Sequence, residues 1–288
     1  MPFSISLTDA NLVPNSNGSM YRYQFPSGGC LFKGNEIALQ TASLYYSWIN
    51  ISAALNNNTF SYIWFDGAGP TATTVNITVP DGFYSIAELN SYLQSIMVAN
   101  SHYLISSTGN YVYFLEMTTN ATLYAVQLNC YFLPTAAQAL ANGWTAPSGW
   151  PGYITVNVCP QFIIPATNIE QLLGINSGTY PSPNQATNYS KTSDFTPQVT
   201  PVQSVFILCS LVNNKYGIPN SILYNFAPAN TTYGSLLSIQ PPTLVFSDIQ
   251  DGNTADFTIQ FVDQSFQPLA IKDTNISVLL CIKDKSKV

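Results

Sequence analysis

The sequence has few charged side chains. Of its 288 residues only 8% are Asp, Glu, Lys or Arg, and the formal net charge is −6. Soluble domains usually carry about a quarter charged residues. Because copies of this chain repel each other little, the composition suits a protein that packs against other protein subunits. Arg22 is the only arginine, and lysines cluster only at Lys283, Lys285 and Lys287. The chain therefore lacks the basic patch of a strong nucleic-acid site, and we interpret the lysine-rich end as a solvated terminus.

Histidine occurs once, at His102, and this scarcity excludes most catalytic and metal-binding arrangements. A Ser-His-Asp triad would have to use this residue, and no cysteine has a second histidine with which to share a zinc ion. His102 starts a strand-like run and is interpreted as a structural or surface residue. The sequence contains neither a phosphate-binding loop nor a Gly-x-Gly-x-x-Gly motif. We therefore predict no catalytic residue, no metal site, no cofactor and no enzymatic activity.

Cysteine is also sparse, and no Cys-x-x-Cys pair occurs. The five cysteines, three of them inside strand-like runs, are Cys30, Cys130, Cys159, Cys209 and Cys281. An odd number of such residues favours free thiols in a protein that folds in a reducing cytosolic compartment. The first residues lack a basic segment followed by an apolar run, so we expect no signal peptide. No apolar run approaches the ~20 residues of a membrane helix, so we expect no membrane span.

Residues 74–98 carry the clearest local pattern in the chain. Apolar and polar residues alternate over 74–79, which predicts a half-buried strand, and Pro80-Asp81-Gly82 predicts a turn. Ser85 stands three residues before Glu88, the spacing of a capping box. Apolar residues then recur at helical spacing to Met97, so the pattern predicts an amphipathic helix.

The rest of the chain is rich in short strands separated by turns. Strands are predicted over residues 3–7, 21–25, 36–51, 60–65, 103–106, 111–116, 122–129, 153–158, 202–212, 221–226, 243–246, 256–262 and 276–283. A further short helix is predicted at 168–174, ending at Gly174. Short, regularly spaced strands with little helix indicate an all-β fold, a sandwich or jelly roll built as one domain over 1–288.

A loop-rich region interrupts this strand series. From about residue 134 to 201 the sequence is dominated by Pro, Gly, Ser, Asn and Trp, and a loop region this long is usually a functional elaboration. We therefore treat 66–200 as a candidate insertion at the outward end of the jelly roll. Trp64, Trp144 and Trp150 could stack on a carbohydrate, although loop packing or a subunit contact explains them more simply.

Two acidic features deserve a chemical interpretation. Glu88 could be a catalytic acid, but its place in the capping box already explains it. The segment from Asp248 to Asp256 faintly resembles a calcium loop but lacks the ligand spacing and the closing acid of one. We interpret Asp251-Gly252 as a hairpin turn instead.

Four segments of the chain together form a recognisable pattern. They are Pro80-Asp81-Gly82-Phe83-Tyr84-Ser85-Ile86 with the helix to Gln94; 168–175 with Tyr180-Pro181; 200–205 leading into 209–214; and 260–269 with 271–273 and Val278-Leu279-Leu280. With these segments the chain resembles one family, the minor capsid (penton) proteins of virophages and polinton-like viruses. The resemblance spans about residues 36 to 284. It implies a single jelly roll, five copies of which close each vertex of an icosahedral capsid.

The resemblance also implies partners and a location. The homopentamer would contact a double-jelly-roll major capsid protein and reside in the virion, and some family members carry an outward insertion. The family has no active site to transfer to this chain. A carbohydrate-binding or receptor-attachment jelly roll is the alternative left open, and a β-sandwich hydrolase is disfavoured by the single histidine.

Overall fold

The chain forms two compact units in a computed structural model that describes residues 2–67, 72–228 and 231–285. One unit is discontinuous in sequence and comprises Met1–Ile49 and Val202–Val288; the other, the inserted unit, is Asn50–Pro201.

The discontinuous unit begins with four strands, of which the fourth is the longest. They are β1 (Phe3–Thr8), β2 (Met20–Gln24), β3 (Cys30–Phe32) and β4 (Asn35–Tyr45), with 3-10 turns at Asp9–Asn11 and Pro26–Gly28.

The inserted unit follows with nine strands and three helices. They are β5 (Thr59–Phe65), β6 (Ala72–Thr78), α1 (Ile86–Ala99), β7 (Leu104–Ile105), β8 (Tyr111–Val112), β9 (Leu115–Asn120), β10 (Ala125–Cys130), α2 (Ala136–Ala141), β11 (Gln161–Ile164), α3 (Ile169–Leu173), β12 (Gly178–Tyr180) and β13 (Tyr189–Thr192).

The discontinuous unit then resumes with seven strands. They are β14 (Val205–Cys209), β15 (Ile222–Phe226), β16 (Leu236–Ile239), β17 (Ser247–Asp248), β18 (Gly252–Thr254), β19 (Asp256–Val262) and β20 (Ile276–Asp284).

Eight strands of the discontinuous unit form two antiparallel sheets with the connectivity of a jelly roll. One sheet has the order β1-β20-β4-β16, with the short β17 also paired to β4, and the other has the order β15-β14-β19-β2. Along the chain, β1, β4, β16 and β20 belong to the first sheet, and β2, β14, β15 and β19 belong to the second. This crossing between sheets is the eight-stranded, double-sheet arrangement of a jelly roll. The predicted all-β jelly-roll fold is confirmed.

The centre of the first sheet is the long pairing of β20 with β4. It runs from Ile276 opposite Leu44 to Asp284 opposite Asn35, with one register shift between Leu279 and Leu280. On β20 the side chains of Val278, Leu280 and Ile282 are fully buried. Their period of two is what one buried face of a strand requires, so this register is fixed by burial.

The inserted unit has a hydrophobic core of its own. Its larger sheet has the order β12-β11-β5-β6, a second sheet has the order β13-β10-β9, and α1 packs against β9. Leu89, Leu93 and Met97 form the buried stripe of α1, and Tyr62 and Trp64 of β5 are buried in the same core. An independent core is the property expected of a separate folding unit.

Asn50, the first residue of the inserted unit, bonds to Val199 near the end of the unit. Its Nδ2 donates to the carbonyl of Val199 at 2.7 Å and to that of Tyr84 at 2.8 Å. Its Oδ1 accepts from the Tyr84 N–H at 2.8 Å, and the side chain is only 1% exposed. One buried amide therefore closes the inserted unit at its base.

The structure corrects several predicted boundaries. Residues 153–158 are not a strand, and only Val158 bridges, to Leu133. The run is flanked by Pro151 and Gly152, at φ +114°, on one side and by Pro160 on the other. Residues 243–246 also lack strand structure, and the strand predicted over 36–51 ends at Tyr45. The inserted unit begins at Asn50 rather than at the expected residue 66, because β5 pairs with β6 and β11 inside it.

Candidate functional site

His102 is part of a buried aromatic cluster. Its Nδ1 lies 2.8 Å from the Tyr62 hydroxyl, and its ring is stacked on Trp64 at a centroid distance of 4.3 Å. Burial lowers the pKa of His102 to about 4, so the ring is neutral at neutral pH. Within the described part of the chain Tyr62 is its one polar side-chain partner. Burial also raises the pKa of the Tyr62 hydroxyl, so this neutral, buried pair supports a packing role.

Two of the three tryptophans considered for carbohydrate stacking pack inside the inserted unit. Trp64 is 1% exposed and meets Trp150 edge to face at 5.6 Å. The indole N–H groups of both are buried without a hydrogen-bond partner among the described residues. Their role is therefore packing, the simpler of the two interpretations of these residues.

Trp144 lies instead in a surface groove of the inserted unit. The groove encloses about 310 Å³ and combines aromatic rings with amide side chains. We call it the aromatic groove and define it by Tyr113, Phe132, Gln138, Asn142, Trp144 and Asn188. Trp144 is half-buried and is held edge to face against buried Phe114 at 6.2 Å. The groove therefore provides a rigid aromatic wall that is open to solvent.

Helix α2 positions two of the groove amides, and sequence reasoning missed this helix. Thr135 and Gln138 form a capping box at its start, and Asn142 is its C-cap residue. The backbone N–H of Trp144 then donates to the carbonyl of Ala139 at 2.9 Å, which holds the backbone of Trp144 just after the helix. The Thr-x-x-Gln spacing is a helix-start signal that the sequence already contained.

The acidic candidates have structural roles. At α1 the Ser85 N–H donates to Glu88 Oε2 at 2.7 Å and the Glu88 N–H to Ser85 Oγ at 3.2 Å, so the predicted capping box is confirmed. The hairpin turn predicted at Asp251-Gly252 is wrong, because β18 pairs with β3 and β17 pairs with β4. The Asp251 carboxylate accepts from the Gly34 N–H. Nowhere in residues 2–67, 72–228 or 231–285 do three potential ligands form a metal-binding group.

The lysines near the C-terminus are engaged with neighbouring side chains. Lys283 Nζ lies 3.5 Å from Glu36 Oε2 and 4.0 Å from the centre of the Phe246 ring. Lys285 pairs with Asp248 at 2.6 Å, and Lys287 lies outside the described residues. These two ammonium groups are therefore neutralised locally rather than arranged as a basic surface.

All five cysteines are present as thiols in the structure. Cys130, Cys159 and Cys209 are buried, and Cys30 and Cys281 are partly exposed. Burial raises the pKa of the Cys130 thiol well above its usual range, that of Cys159 to about 11 and that of Cys209 to about 12. These buried thiols are protonated and unreactive at neutral pH. None of the helices within the described ranges is long and apolar enough to cross a membrane.

Two solved structures are similar to the chain over nearly its full length. The mavirus penton protein aligns with a TM-score of 0.45 and 11% identity, over 98% of this chain and 99% of that chain. A chain in the structure of the Sputnik virophage aligns with a TM-score of 0.37 and 12% identity, over 99% and 98%. No protein-family model and no curated protein matches the sequence. Both structural alignments extend through the discontinuous and the inserted unit.

Proposed function

We propose that this protein is a structural capsid component, a penton protein that closes the fivefold vertices of an icosahedral shell. The observation that carries the proposal is the complete jelly roll of the discontinuous unit, formed by eight strands in two sheets. The sequence resemblance described above supports the same assignment, as does a surface with few charges. The proposal requires no metal ion, and the described residues contain no group of three potential metal ligands. In this proposal the protein has no enzymatic role.

A ring of five copies requires two different surfaces on each subunit that fit one another. The discontinuous unit offers large apolar side chains in solvent: Tyr216 is 98% exposed, Ile218 92% and Val245 67%. Such side chains gain stability when a neighbour covers them, and uncharged surfaces avoid the cost of desolvating ions. We expect each subunit interface to bury on the order of 1,600 Å² or more. The open edges of both sheets, at β1, β2, β15 and β16, would also benefit from cover by neighbours.

The remaining parts of the proposal follow from the same role. The pentamer would contact a double-jelly-roll major capsid protein, reside in the virion and be made in the reducing cytosol of the host cell. The inserted unit would be displayed at the outward end of the jelly roll, because long elaborations of a scaffold are usually functional surfaces. Limited proteolysis of assembled particles tests this display: first cleavage inside Asn50–Pro201 is expected, and cleavage confined to the termini would contradict it.

The oligomer is tested by light scattering on the purified chain and by reconstruction of particles that contain it. We expect a pentamer in solution and density at the fivefold positions. The double variant Tyr216→Ser with Ile218→Ser should weaken the pentamer, and Leu140→Ser is the matched control because Leu140 is also 81% exposed but belongs to the inserted unit. A monomer or trimer at all concentrations, or density only at other symmetry positions, would overturn the assignment.

A further inference from the structure

The aromatic groove of the inserted unit has features that packing and assembly do not explain. Its apolar wall is formed by Trp144, Tyr113 and Phe132, and no Asp, Glu, Lys or Arg lines it. The amide side chains of Gln138, Asn142 and Asn188 also line it, together with Val112, Phe114, Tyr131 and Pro134. Apolar pockets with a few convergent polar groups are the usual form of a small-ligand site. The aromatic and amide lining therefore matches a ligand that is uncharged and amphipathic.

In each of the three side-chain amides, either the oxygen or the NH2 group bonds to the backbone, and the other group is available to a ligand. Gln138 Oε1 accepts from the Thr135 N–H at 2.9 Å, and Asn188 Oδ1 accepts from the Phe132 N–H at 3.1 Å. Asn142 Nδ2 donates to the carbonyl of Gln138 at 2.9 Å. The NH2 groups of Gln138 and Asn188 and the Oδ1 of Asn142 make no hydrogen bond with any other part of the chain that the structure describes.

The chain thus presents two neutral donors and one neutral acceptor beside an aromatic wall, and backbone contacts hold all three in place. Hydroxyl groups are both donors and acceptors, so neighbouring hydroxyls of a sugar ring match this mixture. The C–H face of the same ring is apolar and stacks on an aromatic side chain. Phosphate, carboxylate or ammonium groups would enter without a counter-charge and would lose their hydration.

We propose that the aromatic groove binds a neutral saccharide, with one pyranose ring packed on Trp144 and its hydroxyls bonded to Gln138, Asn142 and Asn188. The amides are fixed before the ligand arrives, so little side-chain entropy is lost on binding. For a single sugar ring we expect a Kd on the order of 1 mM, in keeping with the small number of ligand atoms. A longer neutral glycan gains affinity through repeated contacts when several copies are assembled.

The test uses the full chain and a panel of methyl hexopyranosides, N-acetylglucosamine and neutral oligosaccharides, with the charged monosaccharide N-acetylneuraminic acid and a proline-rich peptide as comparison ligands. Saturation-transfer NMR and tryptophan fluorescence report binding. We expect saturation transfer to at least one neutral saccharide and none to the comparison ligands. No transfer to any neutral saccharide at millimolar concentration would overturn the proposal, as would binding of the peptide at the groove instead.

Two variants remove a donor and keep the local structure. Gln138→Glu retains the acceptor that caps α2, and Asn188→Asp retains the acceptor for Phe132, but each replaces the free NH2 group with a carboxylate oxygen. Each should weaken saccharide binding about tenfold or more. Gln171→Glu adds the same charge at an exposed position in α3 and should leave the Kd unchanged. Affinity equal in all three variants would place the sugar elsewhere and refute the proposal; Trp144→Ala should abolish binding.

Discussion

Replacing Asn50 with alanine should unfold the inserted unit at markedly lower denaturant concentration. The side chain is 1% exposed and makes three hydrogen bonds of 2.7 to 2.8 Å, one from the Tyr84 N–H and two to carbonyls of Tyr84 and Val199. Alanine removes all three hydrogen bonds and offers these backbone groups no replacement donor or acceptor. An unsatisfied buried group costs ~1–3 kcal/mol, and because the carbonyls are only partly shielded, we expect a total loss of about 3 kcal/mol.

Urea unfolding followed by tryptophan fluorescence measures this loss, since Trp64, Trp144 and Trp150 all belong to the inserted unit. With a denaturant slope of about 2 kcal/mol per M, the midpoint should fall by roughly 1.5 M. Asn100→Ala is the matched control: Asn100 is exposed and its side chain makes one bond, to the carbonyl of Ile96 at 2.8 Å. A midpoint for Asn50→Ala within a few tenths of the control would refute the view that this amide closes the unit.

Three further predictions concern pH, thiols and backbone geometry. His102 has a folded-state pKa of about 4, below the ~6.5 of an unfolded chain, so the unfolded state binds a proton at higher pH than the folded state does. The free energy of unfolding should therefore decrease as pH falls from 6.5 towards 4, by up to about 3 kcal/mol. The variant His102→Gln should abolish this pH dependence of stability above pH 5.5. Maleimide labelling with mass spectrometry should modify Cys30 and Cys281 in the native protein and all five thiols only after denaturation; rapid labelling of Cys209 in the native state would contradict its burial. Gly174→Ala should lower the free energy of unfolding by about 2 kcal/mol or more, because φ is +69° and the new Cβ would clash with the carbonyl oxygen of Phe195. Gly109→Ala, with φ +82° and open space around the new Cβ, should lower it by about 1 kcal/mol. Equal losses of thermal stability in the two variants would argue against a steric clash at Gly174.

Sequence patterns predicted the elements whose cause is local. The helix after Ser85 was predicted because both halves of its capping box and its apolar stripe lie within fourteen residues of one another. The end of α3 was predicted because Gly174 adopts the left-handed conformation at its C-cap. The strand β20 was predicted because its alternation is long and one face is buried. In each case the pattern that predicts the element lies within a short stretch of consecutive residues.

The missed strands β11 and β16 depend on contacts between distant parts of the chain. Strand β11 has four residues and lies between β5 and β12, so its partner β5 is about a hundred residues away and its own pattern is too short to be distinctive. Strand β16, with Leu237 and Ile239 buried, has the same weakness. The aromatic groove combines Tyr113, Gln138 and Asn188, which no spacing rule brings together. Trp144 was recognised as a candidate by composition alone, and only the packing of Trp64 and Trp150 distinguished it from them.

The closure of the inserted unit by Asn50 has a consequence for the order of folding. Strands β4 and β14 of the jelly roll are separated by about 160 residues. An unstructured loop of that length raises the entropic cost of bringing its ends together by about 3 kcal/mol over a loop of a few residues. Once Asn50 bonds to the Val199 carbonyl, the intervening chain behaves as a short connection. The inserted unit should therefore fold first, with the jelly roll condensing afterwards, and a ribosome that synthesises the chain from its N-terminus delivers the complete inserted unit before β14 emerges.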